Sequence, residues 1–153
     1  MTYNQTTVRV LAVCFALVLA FIIAVANMGL GVKVYGHLCQ FQYFDKVGHF
    51  VLMGGFSFLV NLSLNGKKVR LFKRPVLLGS LLVFAFVLFE ECTQLWMPHR
   101  NFQISDLIFD ALGIFFLGRA AALLASRHQA GTVEDAVDSE DVEDSEDPAI
   151  LGV

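Results

Sequence analysis

The sequence predicts an all-α, polytopic membrane protein: a four-transmembrane-helix bundle followed by a disordered acidic C-terminal tail. Three observations predict it. Hydrophobic residues make up 56 % of the 153 and charged residues only 16 %, against roughly 25 % charged in ordinary soluble domains. Four runs approach the about 20 apolar residues that a helix needs to cross a hydrocarbon core about 30 Å thick. Charge is also segregated: nine of the fourteen acids fall in "EDAVDSEDVEDSED", which leaves residues 1–130 with eleven Lys/Arg against five acids, a formal +6. The length is that of one domain, and residues 1–130 hold all four spans.

The first span covers about residues 10–30. "AVA" at 24–26 resembles a signal-peptide cleavage site, but the run is longer than an h-region and only Arg9 precedes it, which favours an uncleaved helix. The second span covers about 47–64. The loop after it, "NGKKVRLFKR", carries five Lys/Arg in ten residues, and the positive-inside rule places it in the cytoplasm. With a third span at about 76–97 and a fourth at about 104–124, both termini are cytoplasmic as well. Arg119 and Arg127 near the inner end of the fourth span agree with that direction. Residues 131–153, acidic and poor in aromatics, read as a disordered tail. Cys14, Cys39 and Cys92 share no metal-ligand spacing and no disulfide framework. His37 and His128 read as solvated loop residues.

Within this frame the ionisable residues fall in one layer. "DKVGHF" opens the second span from outside, "EECTQ" lies near the outer end of the third, and "SDLIFD" opens the fourth. Asp45 and His49 are i,i+4, as are Asp106 and Asp110, and Glu91 and Gln94 are i,i+3, so each pair shares one helix face. Lipid does not solvate a carboxylate, so these faces are expected to turn inward. Gly48, Gly54, Gly55, Ser57, Gly79 and Ser80 would let the helices approach closely.

These residues assign candidate roles. His49, with Asp45 one turn away, is a candidate oriented general base; Glu91 is a candidate acid or base. Arg100 is placed to hold a phosphate or carboxylate of a substrate, with Lys46, Gln94, Asp106 and Asp110 completing a substrate-binding set. No serine or cysteine is placed as a nucleophile, because Cys92 points elsewhere on its helix. No cofactor is expected. No metal is assigned, since the set His49, Glu91, Asp106 and Asp110 suits a divalent ion but lacks a diagnostic spacing.

"DKVGHF" and "ECTQLWMPHRNFQISDLIFDALG" resemble the motifs of the VanZ-like membrane proteins: D-K-x-x-H, then E-x-x-Q, Pro-x-Arg and Asp-x-x-x-Asn-x-x-Gly. Glu91, Gln94, Pro98, Arg100, Asp106 and Gly113 fall on the matching positions, over roughly residues 40 to 120. Asp110 stands where the family usually has Asn, and His99 where Gly is common. The resemblance implies a bacterial cytoplasmic-membrane protein acting near the cell envelope, in a family named for a protein linked to teicoplanin resistance. It implies no reaction.

Two functional classes then compete. One is a membrane enzyme acting on an amphipathic substrate in the outer leaflet. The other is a non-catalytic protein that binds a lipid, a lipid-linked envelope precursor or an antibiotic. A purely structural polar network is the plain alternative. A proton-coupled transporter is disfavoured, because the polar residues define no relay to the cytoplasm. Nothing points to nucleic acid, and no protein partner is indicated.

Overall fold

The computed structural model describes residues 3–29, 42–96 and 103–143. Among the described residues four helices carry the fold: α1 (Gln5–Asn27), α2 (Gln42–Ser63), α3 (Leu78–Gln94) and α4 (Ile104–Glu143). A two-stranded hairpin, β1 (Lys68–Leu71) and β2 (Arg74–Leu77), joins α2 to α3. Among the described residues two helical segments are long and apolar enough to cross a membrane, Gln5–Asn27 and Ile104–Thr132. α3 has 17 residues, about 25 Å at 1.5 Å per residue. α2 interrupts its apolar run with Asp45, Lys46, His49, Ser57 and Asn61. The expected four-span bundle is thus a four-helix fold in which two helices have the length and composition of a span.

The polarity of the fold is inverted relative to a soluble domain. Leu17, Phe21 and Phe89 are each about two-thirds exposed, whereas Ser57, Asn61, Glu90, Glu91, Gln94, Asp106 and Asp110 are buried. In water that apolar surface would aggregate, and burial of so many polar groups would be rare. An apolar surround reverses both costs.

Local chemistry sets the helix ends. Asn4 caps α1, its side chain accepting from the Thr6 and Thr7 amides at 2.9 and 3.4 Å. α2 stops at Asn65 and Gly66, both left-handed, with the Gly66 amide donating to the Asn61 carbonyl at 2.8 Å. The Gln5 side chain donates to the Leu62 and Ser63 carbonyls in the last turn of α2 at 3.2 and 2.8 Å, which brings the start of α1 to the end of α2.

Three expectations change. The basic loop is a hairpin, closed by the two residues Phe72 and Lys73 with φ of 46° and 66°. That is the primed-turn conformation that suits strand twist. Second, α4 does not stop near residue 124 but continues to Glu143, so residues 131–143, expected as disordered, are helical. Between Ala125 and Glu143 there is no proline and a single glycine, and nothing in that composition forces a stop. Residues 144–153 of the acidic segment lie outside the described residues. Third, His128 is not simply solvated: its ring lies 4.2 Å from that of Tyr3, and its Nε2–H donates to the Tyr3 carbonyl at 3.1 Å.

The helices meet on small residues. A Cβ added to Gly54 would lie 2.9 Å from the Gly113 carbonyl oxygen, and one added to Gly113 would collide with the Phe50 carbonyl oxygen. α2 and α4 therefore touch backbone to backbone. Leu19, Met53, Val83, Val87 and Ile114 form the main apolar core. Because lipid tails are as apolar as leucine, such packing and interhelical hydrogen bonds must hold the bundle. One hydrogen-bond network lies towards the hairpin end, where α2 ends and α3 begins. Asn61 Nδ2 donates to the Ser57 carbonyl at 2.8 Å and to Ser80 Oγ at 2.9 Å, while Ser57 Oγ donates to the Ile114 carbonyl at 3.3 Å. Gly79 and Gly118 leave room for these side chains.

Candidate functional site

A second polar cluster sits at the opposite end, where α2 and α4 begin and α3 ends. Asp45 lies in the first turn of α2 and Asp106 in the first turn of α4, where the helix dipole favours negative charge. α3 ends on Glu90, Glu91 and Gln94, all buried.

His49 is the hub. Its Nδ1 lies 3.1 and 3.2 Å from the two Asp110 carboxylate oxygens. A carboxylate only accepts, so Nδ1 carries the proton in that bond. The other ring nitrogen, Nε2, then faces Asp106 Oδ2 at 3.9 Å. Lys46 Nζ lies 3.8 Å from Asp106 Oδ1 and donates to Ser105 Oγ at 3.4 Å, while Ser105 Oγ donates to Asp106 Oδ1 at 3.2 Å. On α3, Gln94 Nε2 donates to Glu90 Oε2 at 2.7 Å and to Glu91 Oε1 at 3.2 Å. The second Glu91 oxygen, Oε2, is buried with no hydrogen-bond partner among the described residues. The Glu91 carboxylate interacts electrostatically with His49, Asp106 and Asp110, so all three helices contribute to one field.

Exposure is graded across the cluster. Asp45 is exposed; the side chains of Lys46 and His49 retain 24 % and 20 % of their surface, and Asp110 only 2 %. The cluster therefore has an accessible rim and a buried floor. Asp45, His49 and Asp106 each offer a ligand atom, all within 4.8 Å of one another. A cavity of about 870 Å³ lies elsewhere, at the hairpin end, lined by Lys68, Ser80, Phe84, Phe115 and Arg119 among others. It belongs to a different part of the fold.

Of the residues singled out in the sequence, the structure brings together Asp45, Lys46, His49, Asp106 and Asp110, with Glu91 and Gln94 packed beside them. The carboxylate that orients His49 is Asp110 from α4, not Asp45 from its own helix. Arg100 lies outside the described residues, as do Pro98, His99, His37 and Cys39. Cys14 and Cys92 are free and exposed on the apolar surface, and so contribute no nucleophile to the cluster. Two contributors carried no assigned role: Ser105, whose hydroxyl links Lys46 to Asp106, and Glu90, which holds Gln94 from one turn back. The i,i+4 spacing of Glu90 and Gln94 was a usable signal; nothing in the spacing marks Ser105.

The VanZ/LLP1 family model matches residues 2–124. No curated protein and no solved structure matches the chain. The match takes in all four helix starts and every residue of the polar cluster, and with the two apolar helices it marks a membrane protein. The chain belongs to the VanZ/LLP1 family.

Proposed function

We propose that this is a multi-pass protein of the bacterial cytoplasmic membrane, with both termini inside, whose polar cluster is a pocket open near the outer leaflet. The pocket takes the anionic headgroup of a cell-envelope lipid or lipid-linked precursor. A link to glycopeptide (teicoplanin) susceptibility would follow from altered access to such a precursor. The observation that carries this reading is the graded exposure of the cluster, from Asp45 and Lys46 at the rim to Asp110 and Glu91 at the floor. Buried ionisable groups in a membrane protein are expensive and mark ligand or substrate paths. A network serving structure alone has no need of an open rim, and the Ser57–Asn61–Ser80 network already ties α2, α3 and α4 together.

Lys46 supplies a cation at the rim, and Gln94 and Ser105 supply neutral polar groups. Arg100 belongs to the same proposal on sequence grounds, as a bidentate partner for phosphate. His49, held by Asp110, presents Nε2 to an incoming group, the arrangement of an oriented base that would act on water or a substrate hydroxyl. Incubating the purified protein with lipid-linked envelope precursors separates the versions of the reading. Glu91-dependent product formation makes it an enzyme; saturable binding of unchanged precursor makes it a binding protein. With neither, and with His49→Ala and Glu91→Gln simply failing to accumulate, the cluster only holds the helices together.

A further inference from the structure

Around His49 the charges do not balance locally. Asp45, Asp106, Asp110 and Glu91 all interact electrostatically with its ring, while Lys46 stands to one side, 3.8 Å from Asp106. An anionic headgroup entering such a site would meet more negative charge than positive among the described residues. The geometry offers a remedy. Asp45, His49 and Asp106 present one ligand atom each within a 4.8 Å span, and His49 is already set up as metal-binding histidines are. Its Nδ1–H is given to the Asp110 carboxylate at 3.1 Å, which leaves Nε2 as a lone-pair donor directed at Asp106 Oδ2, 3.9 Å away. Carboxylate–histidine–metal triads fix the tautomer and ring orientation in this way.

An independent observation points to the same ligand. Glu91 retains only 2 % of its surface, yet its Oε2 has no hydrogen-bond partner among the described residues, and the carboxylate interacts with His49, Asp106 and Asp110. A buried, unpartnered carboxylate oxygen is costly unless something positive meets it.

We infer that Asp45, His49 through Nε2 and Asp106 form a binding site for one divalent first-row cation, with the buried Glu91 carboxylate as a nearby balancing charge and Asp110 as the residue that positions His49. Its geometry stands alone; its functional meaning, a cation that accepts an oxygen of the headgroup, rests on the reading above. Ligand atoms about 2.0–2.2 Å from such an ion sit roughly 3–3.5 Å apart. The widest separation, up to 4.8 Å, would close by roughly 1.3–1.8 Å, within reach of a rotamer adjustment of exposed Asp45. One imidazole among carboxylates suits Mn²⁺ or Zn²⁺ better than the all-oxygen shells of Ca²⁺.

The test uses the full chain, purified in detergent, stripped with chelator and free of added lipid. Equilibrium dialysis against Mn²⁺ or Zn²⁺ alone should give one bound ion per chain. His49→Ala and Asp106→Asn should weaken that binding at least tenfold, and Asp110→Asn by about 10–100-fold. Pulsed EPR of the Mn²⁺-loaded wild type should show a directly bound nitrogen, absent in His49→Ala. No stoichiometric ion, binding unchanged in both His49→Ala and Asp106→Asn, or no nitrogen coupling in the wild type overturns the inference. If His49→Ala does not accumulate, the isosteric Asp106→Asn and the wild-type nitrogen coupling decide. Ion binding without precursor binding would leave the site and remove the headgroup reading; precursor binding without an ion would do the reverse.

Discussion

Gly113→Ala should damage the polar cluster without touching any of its polar residues. The backbones of α2 and α4 meet at Gly54 and Gly113, and an added Cβ at 113 would strike the Phe50 carbonyl oxygen. On the reciprocal side, a Cβ at Gly54 lies 2.9 Å from the Gly113 carbonyl oxygen, some tenths of an ångström inside ordinary contact, so the helices must separate by at least about 0.5 Å. Overpacking of this kind costs about 1–3 kcal/mol. The separation falls next to His49 and one turn from Asp110. Their 3.1 Å hydrogen bond would stretch towards the limit of about 3.5 Å, with a further loss of about 1 kcal/mol. Gly48→Ala is the matched control: nothing lies within 4 Å of its added Cβ, and alanine gains about 0.5–1 kcal/mol of helix propensity over glycine. Thermal unfolding in detergent, followed by helical circular dichroism, compares the two. If Gly113→Ala melts at or above the wild type, the close backbone approach of α2 and α4 is wrong, and with it the support assigned to His49.

Three further outcomes are expected. Asn61→Ala removes donations to Ser57 and Ser80 and, at somewhat over about 0.5 kcal/mol per intramembrane hydrogen bond, should destabilise the bundle by about 1–2 kcal/mol in the same melts. Replacing Phe72 by Asn and Lys73 by Gly relieves two left-handed non-glycine residues, each costing about 1–2 kcal/mol; amide exchange across β1 and β2 should slow, and unchanged exchange would refute the primed turn. In intact cells, and with Cys14, Cys39 and Cys92 replaced by alanine, Lys68→Cys should be shielded from a membrane-impermeant thiol reagent and Asn101→Cys labelled; the opposite pattern would invert the proposed topology.

What the sequence makes legible here is what repeats along one helix. Apolar runs placed α1 to α4 within a few residues at most ends, and i,i+4 spacing put Asp106 with Asp110 and Asp45 with His49 on common faces. Partners across helices were not legible in the same way. His49 takes Asp110 rather than Asp45 as its hydrogen-bonding carboxylate because α2 and α4 close to backbone contact at Gly54 and Gly113, a distance that no spacing encodes. Ser57, Gly79 and Ser80 read as small residues permitting close approach; that they also house the Asn61 network, with Gly118 opposite, depends on helix rotation. The hairpin escaped because Phe-Lys is not a turn signature. The length of α4 escaped because an acidic composition argues for solvation without arguing against helix.

Trp96, the single tryptophan, stands exposed two residues beyond Gln94, beside the cluster and in position to report on it. Titrating the purified protein with a lipid-linked envelope precursor while recording its fluorescence tests most directly whether the cluster is a ligand site. A saturable change in the wild type that is lost or shifted at least tenfold in both Lys46→Ala and Asp106→Asn is the predicted result. A signal that never saturates, or one that saturates identically in the wild type and both variants, would contradict it.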